Sequence, residues 1–271
     1  MSFNIPIGAN EEMRGSMDVG GGVKLPFPHI FMSFRNGKRD AGKERGEQYF
    51  GGFQADEAEF VDYLAAIGKQ DVLNSFNLQT LTPRAGDPYQ AYMRRGLAVA
   101  PIAARSRWFQ TREGKNVLKR QVVGLMALGT PLQYVGPVVV TASGYNQAMN
   151  LTAAFDANAN ITANARRQHA AGAAANFFYA YIGTWKEDGE FVMVGKGQNQ
   201  SPITPIAARS YKVETAEELR ALYVGDELAK TVLEYRKQAQ EWVDDWNKKR
   251  DEKPDAALFT DTEASADDIP F

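Results

Sequence analysis

Between Tyr89 and Ala142 the chain offers little but extended backbone, and this stretch limits its fold more than any other. "YQAYMRRGLAVAPIAARSRWF", "NVLKRQVVGLMAL" and "GPVVVTA" are rich in Val, Leu and aromatic residues, which suit a pleated strand. The separators "QTREGK" and "GTPLQYV" hold the Gly and Pro of turns. A helix is expected next. Ser143 is a good N-cap, and "GYNQAMNLTAAFDANANITANARR" spaces Met149, Leu151 and Phe155 along an Ala-rich, Asn-containing segment. Two further strands, "AANFFYAYIGTWK" (174–186) and "EFVMVGKG" (190–197), are joined by the turn "EDGE". The order is therefore three strands, a helix and two strands.

That order matches the five-stranded, partly open Greek-key barrel called the OB-fold, whose second and third strands and flanking loops bind oligonucleotides. The expected fold class is mainly β with added helices: an OB-fold-like five-stranded barrel plus C-terminal helices and a disordered acidic tail. Residues 1–26, rich in Gly and charge, read as a flexible arm, and 27–213 as the OB-like domain with insertions. Within it, "PHIFMSF" and the residues to about 53 extend the sheet, and "QADEAEFVDYLAAIG" is a helix with Phe60, Tyr63 and Leu64 on one face and Gly68 at its end. Residues 214–250 read as helices packed on the body. The first opens with a capping box, Thr215 and Glu218. The second carries Leu228, Val232, Tyr235, Ala239, Trp242 and Trp246 as one apolar stripe. The same stripe also allows a homo-oligomer seam through residues 226–247.

Several function classes drop out early. No cysteine is present, and His29 and His169 are the two histidines, so disulfides, thiolate catalysis and multi-histidine metal sites are excluded. No run approaches 18 apolar residues, and "MSFNIPIGANEEMRG" lacks the layout of a signal peptide, so a soluble, intracellular protein without a membrane partner is expected. Nucleotide-binding and hydrolase templates are missing: "NGKRDAGKERG" has Gly-Lys pairs with no following hydroxyl. The acidic groups in "DEAE", "KEDGE" and "VDD" read as solvated helix surfaces and turns. No catalytic residue, cofactor or metal is assigned, and a non-enzyme is expected. A metal-dependent DNA-processing enzyme using those carboxylates is the alternative from another class.

Charge is divided unevenly. Residues 251–271 hold seven acidic residues and one lysine, a net of −6; the whole chain carries −2, so residues 1–250 carry +4. A basic body with an acidic tail hints at a nucleic-acid-binding body and an interaction tail. The basic residues concentrate between Pro88 and Arg120: Arg94, Arg95, Arg105, Arg107, Arg112, Lys115, Lys119 and Arg120 against Glu113 alone. Tyr89, Tyr92, Trp108 and Phe109 are interleaved with them. A single strand needs this combination, cations along the phosphates and flat rings under the bases. Guanidinium groups add planes that stack as well as pair. By parity, Phe177, Tyr179, Tyr181 and Trp185 share one face of a strand and Phe178, Ala180 and Ile182 the other. The aromatic face, with Lys186 beside it, serves either as a stacking platform or as core; the residues alone leave both open.

The chain given ends in Asp267-Asp268-Ile269-Pro270-Phe271. An apolar ring, a stiff proline and a carboxylate behind two acids suit a small apolar pocket rimmed by cations. These five residues resemble the C-terminal tip of bacterial single-stranded DNA-binding proteins. The resemblance covers five to nine residues; the body departs from that family, with a charged linker and extra helices, and looks like a phage or mobile-element variant. What the resemblance implies is a protein that coats single-stranded DNA with an OB-fold and recruits replication, recombination and repair proteins through the tip. It implies work in the cytoplasm of a bacterial or phage-infected cell. A recombination mediator or strand-annealing protein is the runner-up.

Overall fold

The Val-rich segments pair into one curled sheet of nine strands. The computed structural model describes residues 23–36, 51–81, 87–110, 116–169, 177–184, 192–194 and 201–248. In chain order the strands are β1 (Ile30–Asn36), β2 (Gly51–Asp56), β3 (Asn77–Leu81), β4 (Tyr89–Arg94), β5 (Gly96–Gln110), β6 (Asn116–Leu128), β7 (Gln133–Ser143), β8 (Ala180–Gly183), β9 (Val192–Val194), β10 (Ser201–Ile203) and β11 (Ala207–Ala208). The sheet order is β11-β8-β5-β6-β7-β1-β2-β4-β3, and β9 and β10 pair separately. Neighbours run antiparallel except β1 and β7, which run parallel with Ile30 opposite Val138. The helices are α1 (Glu57–Ala66), α2 (Tyr145–His169), α3 (Ala216–Leu222), α4 (Asp226–Gln238) and α5 (Gln240–Lys248), with a 3₁₀ turn at Gln70–Ser75. The chain is thus mainly β with added helices, and no described helix is long and apolar enough to cross a membrane.

Both faces of the sheet are covered, as alternating side chains at β1, β6 and β7 require. One face presents Met32, Phe53, Val99, Val122, Met126 and Val140 to α1 and α2, which add Phe60, Leu64, Leu151 and Ala154. The other presents Ala98, Ala100, Val123, Leu125 and Val139 to α4 and α5, which add Val232, Ala239 and Trp242. Phe27 seals that second layer, stacked on Tyr235 at 4.1 Å.

Local chemistry sets the ends of several elements. Asp56 accepts from the Glu59 amide at 3.2 Å and caps α1, and Gly68, at φ +67°, lets the chain turn away after it. The capping box of α3 is complete, with Thr215 Oγ1 accepting from the Glu218 amide and a Glu218 carboxylate oxygen accepting from the Thr215 amide, each at 3.1 Å.

Four departures from the expected elements have physical causes. The first extended segment is two strands, broken at Arg95: β4 pairs with β2 and β3, β5 with β6 and β8. The long C-terminal helix is likewise two, interrupted at Ala239, and its stripe turns inward onto the sheet on both sides of the break. Ser143 ends β7 and does not cap a helix, because Gly144 at φ +90° makes the turn into α2. The aromatic strand shortens to Ala180–Gly183, since Tyr179 and Phe177 pair instead with the chain around α3: the Tyr179 amide donates to Leu222 O at 2.8 Å and the Val224 amide to Phe177 O at 3.2 Å.

Two amide side chains of α2, Asn158 and Gln147, also find a purpose. Asn158 Nδ2 donates to Tyr181 O at 3.1 Å while its Oδ1 accepts from the Tyr181 amide at 3.0 Å, so one side chain acts as a strand partner for β8. Gln147 does the same further on, donating to Thr204 O at 2.8 Å and accepting from the Ile206 amide at 3.3 Å.

Candidate nucleic-acid interface

The far half of the β5–β6 hairpin outruns the sheet. β8 pairs with β5 only at Gly96–Val99, and β7 pairs with β6 only from Lys119 onward. Among the described residues, 104–110 therefore form a strand edge with β6 alone beside it. The register places Arg105, Arg107 and Phe109 opposite Gln121, Lys119 and Val117 on one face, and Ser106 and Trp108 opposite Arg120 and Leu118 on the other. β5 and β6 carry four cations and no acidic residue.

On the first face, helix α5 packs against the ribbon. Phe109 meets Trp246 edge to face at 5.0 Å, with the Arg107 guanidinium and the Lys119 ammonium 5.4 and 5.0 Å from its centroid. Arg105 lies deeper, 6% exposed, its guanidinium 3.9 Å from the Trp242 ring centroid and 4.1 Å from that of Trp246. Its Nε donates to Gln121 Oε1 at 2.8 Å and its Nη1 to Trp242 O at 3.0 Å. Arg105 thus joins ribbon to helix inside the protein and is not a surface cation. On the second face, Arg120 Nη1 donates to Ser106 Oγ at 3.0 Å, and Trp108 lies 6.3 Å from Tyr145 at 14° from parallel.

The other expected residues lie elsewhere. Tyr89 and Tyr92 sit on β4, separated from the ribbon in the sheet order by β7, β1 and β2. The Tyr89 hydroxyl accepts from Arg35 at 3.0 Å and donates to Gln54 at 3.2 Å, and Tyr92 packs edge-on against Phe60 at 5.8 Å. Arg94 donates to the carbonyls of Gly96, at 2.9 Å, and Ser75, and its partial burial holds its pKa below the usual guanidinium value. Arg95 is exposed at the break between β4 and β5.

Tyr179 is 4% exposed beneath α4 and α5, where burial pushes its hydroxyl up to about 12. Phe177 packs at the edge of the same core, and Tyr181 is half-buried, edge-on to Tyr211 at 5.5 Å. These rings are core and core margin. Arg112, Lys115, Trp185, Lys186 and Asp267, Asp268, Ile269, Pro270 and Phe271 lie outside the described residues. The structure therefore puts five of these residues on one ribbon, Arg107, Phe109 and Lys119 on the face toward α5 and Trp108 and Arg120 on the other, and keeps Tyr89, Tyr92 and Arg94 apart from them.

Tyr145 is the ring that sequence reasoning passed over. A tyrosine in the first turn of an Ala-rich helix, directly after a strand that ends beside Lys119, is the signal that could have found it. No protein family, curated protein or solved structure matches the chain.

Proposed function

We propose that the protein binds single-stranded DNA along the projecting β5–β6 ribbon. The observation that carries this reading is the ribbon itself: Arg107, Lys119 and Arg120 with Trp108 and Phe109 on a strand pair that has no acidic residue. Each face of such a ribbon offers phosphates a cation and bases a flat ring, Arg107 and Lys119 with Phe109 on one and Arg120 with Trp108 on the other. The β5–β6–β7 meander, followed by α2 and then by β8 against β5, also supports taking the curled sheet as OB-like. In that reading the β5–β6 connection corresponds to the first loop of the barrel, one of the two that meet oligonucleotides. The segment Asp267–Phe271 then recruits replication, recombination or repair proteins.

Titration with oligo-dT, oligo-rU and duplex at two salt concentrations tests the reading through tryptophan fluorescence. Quenching by the single strands and not by the duplex, with affinity falling as salt rises, is the expected result. Arg107→Ala should lower the slope of log affinity against log salt by about one. Equal affinity for duplex would remove the stacking argument. Loss of oligo-dT binding on deleting residues 263–271 would overturn the division between body and tail.

A further inference from the structure

Two side chains at the start of α2 have no part in either core. Tyr145 is 48% exposed and Met149 47%, although Ala148 and Leu151 between and beyond them are buried. They stand four residues apart, one above the other on the helix surface. The Tyr145 ring is also near-parallel to Trp108, which shares its ribbon face with Leu118 and Arg120. An apolar strip of two rings and a thioether therefore crosses from β5 onto α2.

Its surroundings indicate the occupant. The first turn of α2 has no acidic residue, and the ribbon beside it carries cations only. Parallel ring faces with cations alongside fit unpaired nucleobases on a phosphate chain, because every base has a face that can stack and every phosphate a charge to neutralise. The methionine sulfur extends the same surface, since a thioether makes favourable contacts with aromatic rings. We infer that the base-stacking platform leaves the sheet at Trp108 and continues along α2, with successive bases resting on Trp108, Tyr145 and Met149. This rests on the single-strand reading above and adds a helix to it.

The test compares the full chain with its Tyr145→Ala and Tyr145→Phe variants on an oligo-dT and on an abasic oligomer of equal length. Tyr145 is exposed, so both variants should keep the parent's melting temperature. Tyr145→Ala should weaken oligo-dT binding about tenfold, and Tyr145→Phe should restore it. Neither variant should change affinity for the abasic strand, which offers phosphates and no rings. If the parent binds oligo-dT and Tyr145→Ala binds it equally well, the platform does not reach α2 and this inference fails alone. If the parent binds no single strand at all, the function reading fails and takes this inference with it. A change in sedimentation of Tyr145→Ala without a change in DNA affinity would make the strip a protein contact and overturn the inference.

Discussion

Arg105 shows how position decides what a charged side chain does. It falls within the run of basic residues that the ribbon presents, yet the one-in-two alternation of a strand turns it under α5, between two indole rings. A buried guanidinium is tolerated there because its hydrogen bonds are directed at Gln121 and a backbone carbonyl, and its flat faces meet aromatic ones. Lysine has no planar fork and would leave those acceptors unmatched. Arg105→Lys should therefore lose about 2–3 kcal/mol of stability, read as a shift of the urea midpoint, while Arg107→Lys, nearer the surface, should lose far less. The sequence showed that Arg105 was basic and near aromatic residues. That the rings sit 137 and 141 positions away in Trp242 and Trp246 is a tertiary fact, and no local pattern carries it.

At the level of elements, the long strands were legible because their Val and Leu content follows from being covered on both faces. Helix α2 was legible as a helix, but Asn158 and Gln147 were not legible as backbone partners, since that role exists only once β8 and the segment from Thr204 to Ile206 lie alongside. The break at Ala239 escaped because the apolar stripe continues across it; the bend changes direction without changing the pattern. One element-level feature has a direct test. Pro101 pairs with Gly124 and Ala103 with Val123, so Ile102 is an extra residue, a bulge that bends β5. A Cβ at Gly124 would stand 2.6 Å from Ala100 O and from Val99 Cγ1. Gly124→Ala should cost about 1–3 kcal/mol in chemical denaturation, and because the ribbon hangs from this bend it should also weaken oligo-dT binding.

Across the whole molecule, several tyrosines sit in the packed layers, and burial pushes Tyr63, Tyr179 and Tyr211 each up to about 12. Their folded pKa values stand above the ordinary 10.0, so the unfolded chain gives up these protons first as pH rises. Stability from these groups is complete below pH about 10 and declines between about 10 and 12. Melting temperatures at pH 8, 10 and 11 should fall across the last interval, and Tyr179→Phe should flatten that fall; an unchanged slope in the variant would assign the decline to other groups.

The parallel pairing of β1 with β7 brings residues 30–33 beside 138–141. During synthesis, β1 leaves the ribosome first and its partner follows more than a hundred residues later, an interval of roughly 5–20 s at ordinary elongation rates of about 5–20 residues per second. Until then β2 pairs only with Ser33–Asn36, so Ile30–Met32 wait without a strand beside them, and the β7 edge at Val138–Thr141 meets this waiting segment when it emerges. The nascent chain is therefore most open to sticking to its neighbours just before residue 141 appears, and its yield in a cell depends on how quickly that single seam closes.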